Sequence, residues 1–179
     1  REVEVWSRTG AVEYKVASLP LQERIPIDGV QVGPRQIGWR PTENASLLWV
    51  EAMDGGNPKE KVPHRDRVVA FSAPFQGQPT ELTKTQERIA GTPLWTPRGT
   101  SYLISDFERN KKVSRTFLQN VGGGGKTIHE RNIQDRYRNP GNFVTKTLPN
   151  GQRVLAESGG YLFLTGEGAG PEGDRPFLD

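Results

Sequence analysis

The sequence predicts an all-β fold, a partial β-propeller built from four-stranded antiparallel blades. Three observations lead to this prediction. Short runs alternate apolar and polar residues, the 21 glycines and 14 prolines cluster between those runs, and a tryptophan–proline turn recurs along the chain. Alternation with period two is typical of half-buried strands, and frequent glycine and proline indicate many turns rather than long helices. The 179 residues are enough for about two full blades, with half-blades at both ends.

The elements follow in order from the amino terminus. Glu2–Trp6 and Val12–Val16 alternate on either side of a glycine turn and predict a hairpin. We assign residues 1–20 to the end of a blade, 33–85 and 89–131 to full blades, and 142–179 to the start of another, all within one propeller segment. The remaining predicted strands are Gln36–Trp39, Ser46–Glu51, Arg67–Ser72, Thr80–Lys84, Leu94–Thr96, Ser101–Phe107, Val113–Asn120, Lys126–Glu130, Phe143–Leu148, Gln152–Glu157 and Tyr161–Thr165.

An internal repeat favours a propeller over a β-sandwich, which similar strand spacing also allows. Trp39 and Pro41 recur as Trp95 and Pro97, 56 positions later, and Pro149 follows Pro97 by 52. A period just above 50 with about four strands fits one blade. Proline presets φ in the turn, and the tryptophan supplies a large apolar anchor. These five residues are therefore the predicted anchors of the repeat.

Three stretches carry a family resemblance. They are VGPRQIGWRPTENASLLWVEAMDGG at residues 32–56, the motifs DRY and NPG at residues 135–141, and the tail GEGAGPEGDRPFLD at residues 166–179. In order and spacing they resemble the propeller of prolyl oligopeptidase family serine peptidases, and among them glutamyl endopeptidases of the chloroplast and cyanobacterial type.

The resemblance implies a function for the parent protein. Members of this family have a propeller that caps a C-terminal α/β-hydrolase domain with a Ser-Asp-His triad, and the propeller admits peptides but not folded proteins. The implied partners are therefore that hydrolase domain and peptide substrates cleaved after acidic residues. The implied location is the cytoplasm, or the chloroplast stroma for a plant-type parent.

The catalytic machinery of that family has no counterpart in this sequence. A nucleophile elbow requires G-x-S-x-G, and the nearest string, ESGG at residues 157–160, lacks the leading glycine. We therefore predict no catalytic residue here and expect the chain to be a fragment of a larger one. Two alternatives stay open: a non-catalytic TolB-like propeller that binds a protein partner, and a stand-alone β-sandwich binding domain.

Four arginines are candidate substrate contacts. Arg65 and Arg67 flank an aspartate, and Arg136 and Arg138 flank a tyrosine. Arginine binds carboxylates through a bidentate fork, which suits a peptidase that prefers acidic side chains. The alternative is that these arginines form ion pairs within the protein or are solvated.

Cofactors and metals are not predicted. The sequence has no cysteine, and its two histidines, His64 and His129, fall on separate predicted elements, so they do not form a metal-ligand pattern. Gly125-Lys126-Thr127 ends like a phosphate loop, but the first glycine of that motif is Asn120. The glycine run therefore predicts a hairpin turn.

Nucleic-acid and membrane partners are not predicted either. The net charge is +3 without a run of like charges, and no stretch of 18 apolar residues occurs. We expect Trp39, Trp49 and Trp95, which lie in apolar runs, to pack in a core rather than stack on bases. Open sheet edges at both ends of the segment predict that the chain self-associates.

Overall fold

The computed structural model describes residues 1–21, 23 and 25–179. The described residues form 18 β-strands, all paired antiparallel. No helix long and apolar enough to cross a membrane is found among them. The predicted all-β class with antiparallel four-stranded sheets is confirmed, and none of the sheets closes on itself, as expected of a partial propeller.

The chain divides into two compact units. The first comprises residues 1–40 and 44–87, and the second comprises residues 41–43 and 88–179. In the first unit a two-stranded hairpin, β1–β2, accompanies a four-stranded sheet in the sequential order β3-β4-β5-β6. Its strands are β1 (Glu2–Trp6), β2 (Val12–Ser18), β3 (Arg35–Trp39), β4 (Ser46–Ala52), β5 (Asp66–Ser72) and β6 (Thr80–Thr85).

The core of the first unit lies where the hairpin packs on one face of this sheet. Leu47, Trp49, Val69 and Phe71 are buried there together with Val5 of the hairpin. These side chains alternate along β4 and β5, because successive residues of a strand point to opposite faces. Aromatic contacts extend the cluster: the rings of Tyr14 and Phe71 meet edge to face at 5.2 Å, and those of Tyr14 and Phe75 stack at 5.4 Å.

The second unit is built around the sheet β11-β10-β9-β7, with β8 also paired to β9. Three smaller groups follow it, β12-β17-β18, β13-β14 and β15-β16. The strands are β7 (Arg88–Ile89), β8 (Leu94–Trp95), β9 (Ser101–Glu108), β10 (Val113–Asn120), β11 (Gly125–Asn132), β12 (Asn142–Phe143), β13 (Thr145–Thr147), β14 (Arg153–Leu155), β15 (Glu157–Ser158), β16 (Tyr161–Leu162), β17 (Leu164–Gly166) and β18 (Phe177–Leu178).

The sequence repeat has a structural counterpart in the two large sheets. The sixth residue of β4 is Glu51 and the sixth residue of β9 is Asp106. Each lies directly opposite an arginine on the next strand, Arg67 on β5 and Arg115 on β10. Both arginines bind their carboxylate through two nitrogens, at 2.7 and 2.9 Å in the first sheet and 2.8 and 2.9 Å in the second. An acid–arginine pair therefore occupies the same position in both sheets.

The strands near the carboxyl end are shorter than predicted. The single strand expected at Phe143–Leu148 is two strands, because its halves pair with different partners. Phe143 lies opposite Leu164, whereas Thr145 lies opposite Leu155. The runs predicted at Gln152–Glu157 and Tyr161–Thr165 divide in the same way. Two short strands, β7 and β18, were not predicted at all, since two residues carry no visible alternation.

Candidate functional site

The candidate site is a cavity of about 270 Å³ in the second unit, where the sheet β9-β10-β11 faces the loop of residues 139–143. The loop approaches the sheet from the side of β11, and the rings of His129 and Phe143 lie 5.9 Å apart. The polar lining includes Ser105, Ser114, Thr116, His129, Arg131 and Asn142.

Strand register explains why these polar side chains share a face. Ser105 on β9 lies opposite Thr116 on β10, and Thr116 lies opposite His129 on β11. Two residues further along, Ser114 lies opposite Arg131. Residues paired across antiparallel strands project to the same side of the sheet. The hydroxyl groups of Ser105 and Thr116 are hydrogen-bonded to each other at 2.8 Å.

The surroundings of His129 disfavour the charged form of its imidazole. Burial lowers the pKa of its imidazole below the ordinary value, and the positive charge of Arg131 lowers it further. Its Nε2 atom is buried and has no hydrogen-bond partner among the described residues. A buried polar atom without a partner is uncommon in folded proteins, so this nitrogen is an unsatisfied polar group at the edge of the cavity.

Arg131 supplies the positive charge of the cavity. Its Nη1 donates long hydrogen bonds of 3.4 Å to the backbone carbonyls of Asn132, Ile133 and Asp135. These bonds orient the guanidinium group but leave its charge uncompensated. No aspartate or glutamate is among the residues that line the cavity, and no described carboxylate forms an ion pair with Arg131.

The loop over the cavity is fixed by close backbone contacts. Gly141 has a φ of 82°, and a Cβ atom at this position would lie 2.3 Å from the carbonyl oxygen of Thr165. Only glycine fits both constraints. The next two residues, Asn142 and Phe143, pair with Thr165 and Leu164 of β17. The loop is therefore anchored to a strand rather than free to collapse into the cavity.

We expect His129 to make the stability of the chain depend on pH. Because its pKa is lower in the folded state, the unfolded chain binds more protons as the pH falls through the ordinary histidine range, near 6.5. The stability from the neutral imidazole is complete above that range and declines below it. Thermal unfolding of the wild type and of His129→Gln at a series of pH values checks this. The melting temperature of the variant should fall less than that of the wild type as the pH is lowered.

The matched control is His64→Gln, which replaces the other histidine of the chain. This variant should retain the wild-type pH dependence. An unchanged decline in His129→Gln, or an equal loss of the decline in both variants, would contradict the assignment to His129.

Comparison with known proteins identifies two relatives. The chain is 35% identical to a probable chloroplastic glutamyl endopeptidase of Oryza sativa subsp. japonica, and 31% identical to one of Arabidopsis thaliana, over its whole length in both cases. The chain is homologous to a segment of the glutamyl endopeptidases. The family resemblance seen in the sequence is thereby confirmed. The chain spans 20% of the length of each of these relatives. No protein-family model matches it, and no solved structure matches it.

None of the four arginines predicted to contact substrate is among the residues that line the cavity. Arg65 is bound by two carboxylates, Asp54 at 2.9 Å and Glu87 at 3.3 Å. Arg67 is bound by Glu51, at 2.7 Å, with Glu81 at 3.7 Å. Both guanidinium groups therefore take part in ion pairs within the first unit.

The second pair of candidate arginines lies on the exposed loop after β11. Arg136 approaches Asp174 at 3.9 Å, and Arg138 approaches Asp135 at 3.6 Å. Both arginine side chains are largely exposed, and exposed pairs at such distances contribute little. Contact of any of the four arginines with substrate stays a prediction.

The repeat anchors differ in their surroundings. Trp95 is fully buried and packs on Tyr102 with ring centroids 4.8 Å apart. Trp49 is also buried, but Trp39 is 45% exposed. Core packing was predicted for all three tryptophans, and for Trp39 this is wrong: it is the last residue of β3, an edge strand of its sheet. Pro41, Pro97 and Pro149 lie in the turns between strands, and their role as anchors stays a prediction.

The sequence suggested two ligand motifs, a glycine run that resembles a phosphate loop and a pair of histidines. The glycine run forms the turn of the β10–β11 hairpin, as predicted, with Gly122, Gly123 and Gly124 at positive φ. Among the described residues, no group of three or more histidine, aspartate or glutamate side chains is placed to hold a metal ion.

The polar face of the cavity was missed at the sequence level. His129 and Arg131 are two positions apart on one strand, and Ser114 and Thr116 are two positions apart on the strand before it. Alternating polar residues on two consecutive strands indicate a shared polar face. The signal was present, but it lacks a motif that identifies its chemistry.

Proposed function

We propose that this chain is the N-terminal propeller segment of a serine peptidase of the glutamyl endopeptidase type. In this proposal the segment gates and shapes the access of peptides to a hydrolase domain outside the chain. One observation carries it: the whole chain aligns with one fifth of the length of glutamyl endopeptidases, while its sequence lacks the G-x-S-x-G elbow that catalysis requires.

The architecture supports a gating role rather than a catalytic one. The large sheets have antiparallel strands in sequential order, as propeller blades do. An α/β-hydrolase site, in contrast, needs a nucleophile on a sharp turn between a strand and a helix. We place the protein in the cytoplasm or, since the relatives are named as chloroplastic, in the chloroplast stroma of a plant-type parent.

The gate is tested by loosening the segment within the longer peptidase. Arg115→Met removes an ion-pair partner of the buried carboxylate of Asp106 in the β7–β11 sheet. We expect it to raise cleavage of a polypeptide of about 30 residues several-fold relative to cleavage of a short Glu-containing peptide, because gating restricts size rather than chemistry. The ratio of the two kcat/KM values is the measurement.

Arg67→Met is the matched control, since Arg67 occupies the same position in the other sheet but is more exposed. It should leave the ratio unchanged. Equal ratios in the wild type and both variants would contradict gating. Hydrolysis of a Glu-containing peptide by the purified chain alone, blocked by a serine-directed inhibitor, would contradict the absence of a catalytic site. A protein that has no hydrolase domain beside this segment would favour the non-catalytic binding module instead.

A further inference from the structure

The cavity between the β9-β10-β11 sheet and the loop of residues 139–143 has the chemistry of a binding site. It combines one cation, one imidazole and several hydroxyl groups, and no carboxylate lines it. We propose that it binds the carboxylate group of a small organic acid. The inference rests on the second unit alone and does not depend on a peptidase function of the parent.

The cavity lining carries one positive charge and no negative charge, which favours a singly charged anion as the ligand. Arg131 is the one cationic residue in the lining. Its Nη1 is engaged with backbone carbonyls, and its Nε and Nη2 make no hydrogen bond with a described residue. A guanidinium group binds the planar carboxylate through two parallel hydrogen bonds, whereas a phosphate is typically met by more than one charge or by a nest of backbone amides.

The neutral groups complete a site for the carboxylate. The imidazole of His129 lines the cavity, and a neutral imidazole can donate one hydrogen bond. The hydroxyl groups of Ser105 and Thr116 share one hydrogen bond between them, so a second hydroxyl proton is left for a ligand.

The apolar part of the lining determines what carries the carboxylate. Leu94, Leu103, Pro140 and Phe143 line the same cavity as the polar groups. Apolar walls with a few convergent polar groups are typical of small-molecule sites. A short aliphatic chain with one carboxylate therefore fits, from a free acid or from an acidic side chain of a peptide.

The experiment compares isosteric probes that differ in charge. The chain is titrated with butyrate and butyramide, and with N-acetyl-glutamate amide and N-acetyl-glutamine amide, while the imidazole resonances are followed by NMR. We expect butyrate at about 20 mM to shift the His129 resonances and leave those of His64 in place, with butyramide at least about tenfold weaker. Tighter binding of N-acetyl-glutamate amide than of butyrate would identify an acidic peptide side chain as the source of the carboxylate. Tighter binding of butyrate would identify a free acid.

Two variants keep the test decisive. Arg131→Gln should weaken butyrate binding by about 10- to 100-fold, the range for a charge-assisted hydrogen bond. Because Arg131 also orients the loop after β11, Thr116→Val serves as a second variant that keeps the charge. It removes one hydroxyl group and should weaken binding by about threefold to tenfold. Arg67→Met, in the other unit, should not affect binding.

The pH dependence gives an independent readout. Arg131 is the one other charged group facing His129 in the cavity, while β10 and the loop contribute uncharged side chains. Protonation of His129 adds a second positive charge, so butyrate should bind more tightly as the pH falls below the ordinary histidine range, near 6.5. The carboxyl group of butyrate stays ionised down to about pH 5. Equal binding of butyrate and butyramide, an absence of binding at about 20 mM, or unchanged affinity in Arg131→Gln would each overturn the proposal.

Discussion

Arg115→Met is expected to lower the free energy of unfolding by about 3–5 kcal/mol, the loss typical of breaking a buried ion pair. Its partner Asp106 is fully buried, and the two side chains are joined by hydrogen bonds of 2.9 and 2.8 Å. Removal of the guanidinium group takes two hydrogen bonds and a counter-charge away from a carboxylate in the interior. Urea denaturation of the wild type and the variant, followed by tryptophan fluorescence, measures the difference.

The repeat provides a matched control for this prediction. Arg67→Met breaks the equivalent pair in the other sheet, where the arginine side chain is 42% exposed and the carboxylate of Glu51 is 23% exposed. Water screens such a pair, so we expect a loss below about 1 kcal/mol. The double variant Asp106→Leu with Arg115→Met should recover part of the loss, because it removes the buried charge as well. Equal losses of unfolding free energy in Arg115→Met and Arg67→Met would show that burial does not determine how much the broken ion pair destabilises the chain.

The architecture was predictable because local sequence determines most of it. The hairpin β1–β2 and the longer strands of both large sheets carry alternation or a short apolar run, and turns rich in glycine and proline separate them. The region after residue 142 was predicted less well, since its strands are two or three residues long and change partners within one run. Phe143 and Thr145 are two positions apart, yet they pair with different strands. Such a change of partner depends on tertiary contacts, and the alternation of apolar and polar residues along the sequence carries no information about those contacts.

The candidate site was less predictable than the fold. Arg65 and Arg67 stand out in the sequence because they flank an aspartate, but both are bound by carboxylates in the structure. Arg131 stands in a less conspicuous setting, and its distinguishing property is that no carboxylate of the described residues forms an ion pair with it. Whether an arginine is compensated depends on register and on loop placement. Sequence spacing therefore identifies charged residues, while pairing across strands decides which of them are available to a ligand.

Trp95→Ala is expected to destabilise the chain by about 3–5 kcal/mol, the loss found for large aromatic residues removed from a core. Trp95 is fully buried and packs against Tyr102, which is also fully buried, with ring centroids 4.8 Å apart. The two residues lie opposite each other on β8 and β9. Removal of the indole leaves a cavity beside the ring of Tyr102, and this lost packing adds to the lost burial of apolar surface. The midpoint of urea denaturation, followed by far-UV circular dichroism, measures the effect.

Trp39→Ala is the control, because Trp39 is the repeat equivalent of Trp95 but is 45% exposed. We expect it to cost about 1 kcal/mol, since less apolar area leaves water at this position on folding. A large difference between the two variants would show that the repeated turn assigns tryptophan the same sequence position but not the same energetic role. Comparable losses would instead mean that Trp39 is as well packed in solution as Trp95, and would restore the prediction of equivalent anchors.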